Sequence, residues 1–275
     1  MSHIRYSIIF ISVFCLYACK QEKQKVKELD TIPDSQKVVL SSEERKGKEL
    51  LNKCIDAHGD LVKWNSFEAL EYNLNDKGKI VYQLTNLKDR RAYLKSKDYV
   101  VGFDGQVAWA LPDASKVSGK SAAFYYNLDF YFIGVPFLLK DPGVVATYAG
   151  KATVNGKTYE SLKITFGSEV GFTPEDVYYL YIDPESYMLK ILTYSISYFD
   201  KEDAKINSAK VYSEYQEVQG LMMPTKMENF EWEGGNIGKS KNHLRLFSEI
   251  KFLNEVPDEQ LFEVPKGAKV EELSE

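Results

Sequence analysis

Between Phe67 and Leu253 this chain is written largely in a period of two, and short turns interrupt the pattern at close intervals. In residues 157–167, Leu162, Ile164 and Phe166 share one face while Ser161, Lys163 and Thr165 share the other. In residues 188–199, Leu192, Tyr194, Ile196 and Tyr198 oppose Thr193, Ser195 and Ser197. Alternation of this kind specifies half-exposed antiparallel strands and does not fit a helix, whose apolar face repeats every 3.6 residues. Asp104-Gly105 and Asn155-Gly156 are hairpin turns, because both residues of each pair tolerate positive φ. Further strands are predicted over 67–74, 79–86, 90–95, 99–103 and 106–111, and again from 144 through 253, with Pro184-Glu185 as another turn. The total is about eleven strands in a meander, mainly β with some α. No βαβ unit interrupts it, so a parallel sheet is excluded.

Two segments break the alternation. Ser41-Ser42-Glu43-Glu44 supplies a cap and an acidic first turn, and Leu50, Leu51, Cys54, Ile55 and Leu61 form an apolar helical stripe. That helix is expected to end at His58-Gly59, with Trp64 packing just beyond. The second segment, residues 121–139, is helical or irregular and crowded with Phe124, Tyr125, Tyr126, Leu128, Phe130, Tyr131, Phe132, Ile133 and Phe137. It carries more large apolar side chains than one amphipathic stripe uses. Asn127, Asp129, Gly134 and Pro136 interrupt it, so it cannot span a bilayer. It reads either as a helix buried on the sheet or as a lid over an apolar pocket. As a lid it would contribute Phe124, Tyr126, Phe130, Tyr131, Ile133 and Phe137 to a ligand site, with strand residues such as Trp109, Phe103 and Tyr181 on the opposite wall.

The chain begins with a basic start (His3, Arg5) and an apolar run from Tyr6 to Ala18, followed by Cys19. Leu16-Tyr17-Ala18-Cys19 is the pattern of a cleaved bacterial lipoprotein signal, so residues 1–18 are expected to be removed and Cys19 acylated, with palmitate-like chains on its sulfur and amine. Each buried acyl CH₂ contributes about 0.8 kcal/mol, and two or three chains anchor a protein stably. Residues 19–42 are polar and read as a tether, and residues 43–275 as the folded domain. The expected location is the outer membrane, lipid-anchored and facing the periplasm. With Cys15 discarded and Cys19 acylated, Cys54 has no partner for a disulfide.

A net charge of −5 and the absence of a basic patch argue against nucleic acid. Ala114 to Ser121 imitates a phosphate loop but lacks the first glycine, and Asn73 to Gly78 imitates a calcium loop with Lys77 in place of an oxygen ligand. Cys54 and His58 stand four apart on a helix with no further ligands nearby. No nucleophile elbow is present. No cofactor, metal or catalytic residue is therefore assigned, and no enzyme activity is expected.

Ala57-His58-Gly59 with Trp64, Gly171-Phe172-Thr173-Pro174-Glu175-Asp176 before a Tyr-rich strand, and the closing Phe252-Leu253-Asn254, Pro257-Asp258, Phe262 and Pro265 together resemble the LolA-like lipoprotein-carrier superfamily. More closely, they resemble uncharacterised Gram-negative outer-membrane lipoproteins of that fold. The resemblance implies a strongly bent antiparallel sheet forming an unclosed half-barrel, wrapped on its concave side by an N-terminal helix and a central helical lid. It also implies an apolar cavity that takes a lipid, an acylated protein or another amphipathic ligand. Two other readings stand beside it: a protein-interaction or envelope-stress sensing module with an envelope protein as partner, and a hydrolase of envelope lipids or glycans.

Overall fold

A computed structural model describes residues 40–167, 173, 175–198 and 205–273. Residues 1–39, on which the expected signal segment, Cys19 and most of the expected tether fall, lie outside them, as do Gly171, Phe172, Pro174 and Phe199. The first described element is helix α1, Ser42–Ala57. Its start is the capping box written in the sequence: the Glu44 N–H donates to Ser41 Oγ (3.1 Å) and the Ser41 N–H to Glu44 Oε2 (2.7 Å). Leu50, Leu51, Cys54 and Ile55 form its buried stripe. A short helix α2, Leu61–Asn65, follows at once and buries Trp64.

All strands among the described residues belong to one antiparallel sheet. In chain order they are β1 Ala69–Asp76, β2 Lys79–Asn86, β3 Ala92–Lys95, β4 Val100–Phe103, β5 Val107–Leu111, β6 Val144–Val154 and β7 Lys157–Phe166. The series continues with β8 Tyr178–Ile182, β9 Leu189–Tyr194, β10 Ser208–Val218, β11 Leu221–Glu233, β12 Asn236–Leu253 and β13 Lys269–Glu272. The spatial order β13-β5-β4-β3-β2-β1-β12-β11-β10-β9-β8-β7-β6 has two free ends, so the sheet does not close into a barrel. Both ends nevertheless meet helices on the same face. Helix α1 lies on β6, where a Cβ on Gly47 would overlap the Ala146 carbonyl. Near β13 lies helix α3, Ala122–Tyr125. The sheet is thus an open half-barrel bent around a helical layer.

The described residues form thirteen strands where about eleven were expected. The strand β13 was unforeseen: its sequence Lys-Val-Glu-Glu carries too little apolar signal, and only its pairing with β5 makes it a strand. β9 stops at Tyr194, five residues short of the expected end, because Asp176 captures the next turn: its Oδ1 accepts from Ser195 Oγ (3.0 Å) and the Ser197 N–H (2.9 Å). The hairpin of β11 and β12 runs on through Gly234-Gly235. Asn155 in the β6–β7 turn holds its tip, through bonds to Asn236 and Ile237.

The main core lies between the helical layer and the inner face of the sheet, and draws on Leu70, Tyr72, Leu94, Val101, Leu162, Leu180, Leu192, Tyr212, Met227 and Phe247. Its contributors run from Leu50 to Leu273, and Leu40–Glu275 is one compact unit. The outer face carries two smaller clusters. Tyr159, Tyr181, Ile191 and Ala209 pack under Trp232 and Ile237. Ala69, Leu84 and Phe262 pack beneath the C-terminal 3₁₀ turn Glu259–Phe262.

Candidate functional site

The aromatic segment folds into α3, helix α4 (Leu128–Ile133) and a 3₁₀ turn, Phe137–Lys140. Helices of four and six residues are too short to be stable alone, and tertiary ties hold them. At the start, Ser121 caps α3 by accepting the Phe124 N–H (3.1 Å). Glu271 of β13 accepts from Ser121 Oγ (2.8 Å) and the Ala123 N–H (3.1 Å). In the middle, Asp129 takes a hydrogen bond from Arg245 Nε of β12 (3.0 Å), and Arg245 also pairs with Asp76 at the end of β1. At the exit, Arg90 Nη2 reaches both oxygens of Asp141 (3.0 and 2.8 Å). The segment is therefore clamped at three charged points.

Between this segment and the far half of the sheet lies a cavity of about 280 Å³. An enclosed apolar cavity of about 150 Å³ already holds benzene, so the space is that of a small ligand or part of a larger one. Its helical wall is Phe124, Tyr126, Asn127, Leu128, Tyr131 and Phe132. The sheet wall is Phe166 of β7, Tyr178 of β8 and Tyr194 of β9, continued by Ser195, Ile196 and Tyr198. Register explains why these rings meet: Tyr178 pairs with Tyr194 across β8–β9 and with Ile164 across β7–β8, so they share the inner face. Tyr178 packs edge-on to Tyr131 (6.1 Å), Phe166 (5.1 Å) and Tyr194 (5.9 Å).

The polar groups on the cavity are few. Asp176 lies on it, buried, with Oδ1 committed to Ser195 and Ser197. Burial drives the Tyr178 phenol well above its ordinary pKa and raises Tyr126 and Tyr194 to about 12, so these rings stay neutral. Behind the deep wall, Lys210 Nζ sits 4.2 Å from the Phe132 ring centroid and donates to Asn229 Oδ1 (2.8 Å). Burial lowers this lysine to about 8.

Phe124, Tyr126 and Tyr131, expected in the ligand site, line the cavity. Phe130, Ile133 and Phe137 point the other way and are core residues, 2%, 0% and 2% exposed. Phe137 stacks on Trp64 (4.6 Å) and meets His58 edge-on. The reason is helical geometry: one helix turn cannot send residues 130, 131 and 133 to the same side. Trp109 lies on the opposite face of the sheet, with Nε1 donating to the Phe262 carbonyl (3.1 Å). It fills the space above Gly102, where any Cβ would strike its ring. Phe132, Phe166, Tyr178 and Asp176 line the cavity too, beyond the residues expected there. The sequence carries a signal for this wall: Tyr194, Ile196 and Tyr198 share one face, and Asp176 closes the Gly171–Asp176 motif.

The Cys54–His58 pair is a core contact. The Sγ–Nδ1 distance is 3.9 Å, and Nδ1 lies 2.7 Å from the Cys54 carbonyl. Burial raises the thiol and lowers His58 to about 4, so at neutral pH the imidazole carries no charge to meet the helix dipole. Among the described residues, no cluster of three or more His, Cys, Asp or Glu has metal-binding geometry. No helix among them is long and apolar enough to cross a membrane.

A family model described only as a family of unknown function, DUF6503, matches residues 100–230. That span runs from β4 to β11 and includes the whole cavity wall. No curated protein matches the sequence. Among solved structures, this chain is similar to a DUF1329 family protein from Desulfovibrio piger (13% identity, TM-score 0.48, covering 81% of this chain and 98% of that one). It is also similar to a LolA superfamily protein from Nitrosomonas europaea (9%, 0.47, 78% and 96%). A third is a putative outer membrane lipoprotein-sorting protein domain from Vibrio parahaemolyticus (10%, 0.47, 79% and 97%).

Proposed function

We propose that this chain is a non-enzymatic binding protein of the bacterial envelope, anchored to the outer membrane through an acylated Cys19. In this reading it holds a lipid, an acylated protein or another amphipathic ligand in the cavity between the aromatic segment and the sheet. The observation that carries the reading is the aromatic cavity itself: a side-chain-filled interior would have favoured a module that binds partners by its surface. Transfer is hydrophobic. Each CH₂ that leaves water for the aromatic wall gains about 0.8 kcal/mol, and no covalent step is required. Because charged ties hold the segment at both ends and in the middle, the ligand enters from the side. There Phe124 and Tyr198 are half-buried and Ile196 is 44% exposed. The polar stretch 19–42 tethers the domain within reach of the membrane that supplies such ligands.

The test is native mass spectrometry with lipid extraction on Leu40–Glu275 purified from a Gram-negative periplasm. Stoichiometric co-purified lipid, or uptake of added lipid, is the expected result. A clean apo mass with no uptake overturns the reading and favours the interaction module. In vivo labelling with a palmitate analogue checks the anchor: label lost in Cys19→Ala is expected, and label retained refutes it.

A further inference from the structure

Helix α3 brings Ala123 and Phe124 to the cavity wall, with Tyr126 just after it, and its two ends are held by different parts of the sheet. At the far end, Tyr125 Oη lies 2.8 Å from Oη of Tyr99, the residue before β4, and Tyr126 stacks on Phe103 of β4 (4.5 Å). Strand β4 is paired on both sides, with β3 and β5. At the near end, Glu271 Oε2 accepts from both Ser121 Oγ (2.8 Å) and the Ala123 N–H (3.1 Å). Glu271 belongs to β13, four residues at the end of the sheet that pair with β5. Register sets Glu271 opposite Ala108 on the inner face, toward α3. Val270, opposite Trp109, faces outward and is 50% exposed. Leu273, just past the strand, packs on the main core. An end strand lifts away without breaking any other pair of the sheet, and short terminal elements with few buried contacts open at the lowest free energy in a fold. The tie at Asp129 has no such freedom, because Arg245 stands on β12 in the middle of the sheet.

The corner that Glu271 holds is the side entrance. Ser121 Oγ lies 3.4 Å from Tyr198 Oη, and the Phe124 ring packs on the Tyr198 ring with centroids 5.0 Å apart. The start of α3 and the Tyr198 side of the cavity therefore close on each other there. From this geometry we infer that β13 is a strap across the cavity mouth and Glu271 its positioning residue. While Glu271 holds Ser121 and Ala123 the mouth is shut. When the strand lifts, residues 121–124 swing out about the Tyr125–Tyr126 end and a ligand passes. This rests on the cavity being a ligand site. Glu271 is not itself part of the lining, so it governs the rate of exchange and not the affinity of the closed state. The barrier includes loss of its two hydrogen bonds, whereas the free and the loaded protein both keep them.

The experiment is stopped-flow fluorescence of N-phenyl-1-naphthylamine, a neutral aromatic probe that brightens out of water, entering and leaving Leu40–Glu275, the compact unit. A hydrogen bond to a charged group is worth about tenfold or more in an equilibrium, so Glu271→Ala should raise the entry and exit rates together by about tenfold. Its Kd should stay within about twofold of the parent's, because both end states lose the same bonds. Glu271→Gln keeps an acceptor for Ser121 and Ala123 and should exchange the probe at nearly the parent's rates. If Glu271→Ala does not fold, hydrogen exchange on the unaltered domain decides the question. There the amides of Ala123 and β13 should exchange as one unit, about tenfold faster than the β4–β5 ladder. Equal probe rates in the parent and Glu271→Ala, or an Ala123 amide as slow as the β4–β5 ladder, overturn the strap and leave the cavity as a ligand site. A weakened Kd with unchanged entry makes Glu271 a structural residue only, which also overturns it. No uptake of the probe by the parent overturns the ligand-site reading itself, and the strap with it.

Discussion

Removal of the Asp129 carboxylate is the perturbation that asks most of this structure. Asp129 is 4% exposed and Arg245 is 1% exposed, and the pair joins α4 to β12 across 116 positions of sequence. Two unit charges about 4 Å apart interact by about 4 kcal/mol at an effective dielectric near 20, and breaking a buried pair from one side costs about 3–5 kcal/mol because a charge is left behind. Here the stranded guanidinium keeps Asp76, whose side chain is 28% exposed, so the cost of Asp129→Ala falls at the low end, about 3 kcal/mol. For a domain of this size that lowers Tm by about 6–12 °C. Asp129→Asn keeps an acceptor for Nε and should lose about half as much. The double variant Asp129→Leu/Arg245→Met removes both charges at similar volume and should return to within about 1 kcal/mol of the parent. Urea unfolding followed by circular dichroism measures all three. A loss under about 1 kcal/mol in Asp129→Ala, or a double variant as unstable as the single one, would refute the claim that this pair clamps the aromatic segment.

Acid should destabilise the domain before its carboxylates titrate. His58 is held near pKa 4 against an ordinary 6.5, so the unfolded chain binds more protons between those values. Stability is therefore full above about pH 6.5 and falls by about 2–3 kcal/mol toward pH 4; half-buried His243, lowered by burial and by Arg245, adds a smaller amount in the same direction. Urea midpoints unchanged between pH 7 and 5 would contradict this. Gly47→Ala tests the packing of α1 on β6: an exposed helix would gain about 1 kcal/mol from the change, but a Cβ striking the Ala146 carbonyl reverses the sign, to a loss of about 1–3 kcal/mol in thermal melts. Phe137→Ala should cost about 3–5 kcal/mol, for the ring stacked on Trp64 is core, whereas Tyr131→Ala should cost less and instead weaken ligand uptake. The Cys54 thiol should react with Ellman's reagent only after denaturation, since it is fully buried and burial suppresses its thiolate.

Where information is local, the residues declared it. Ser41 and Glu44 wrote the start of α1, Asn155-Gly156 wrote a turn, and the two-residue alternation of β7 sorted its side chains onto two faces. The ends of β9 and the existence of β13 were not local matters. A distant Asp176 stops the first, and pairing with β5 creates the second.

The same division runs through the candidate site. Period-two spacing says that Tyr194, Ile196 and Tyr198 lie together, and equally that Trp109 lies with its own neighbours at 107 and 111. It is silent on which face is the inner one, because both faces of this sheet bury aromatics: Tyr178 inside, Trp109 and Tyr181 outside. By itself the sequence determined an antiparallel meander, a capped first helix and an aromatic segment too short-turned to be a membrane span. Only the tertiary structure decided that Phe124, Tyr126 and Tyr131 meet Tyr178 and Asp176 around one space while Phe130 and Phe137 turn into the core. The physical reason is that hydrogen-bonding propensity and alternation act between near neighbours. Cavity shape and charge pairing arise between residues such as Asp129 and Arg245, which share no local signal and are brought together only when the sheet bends.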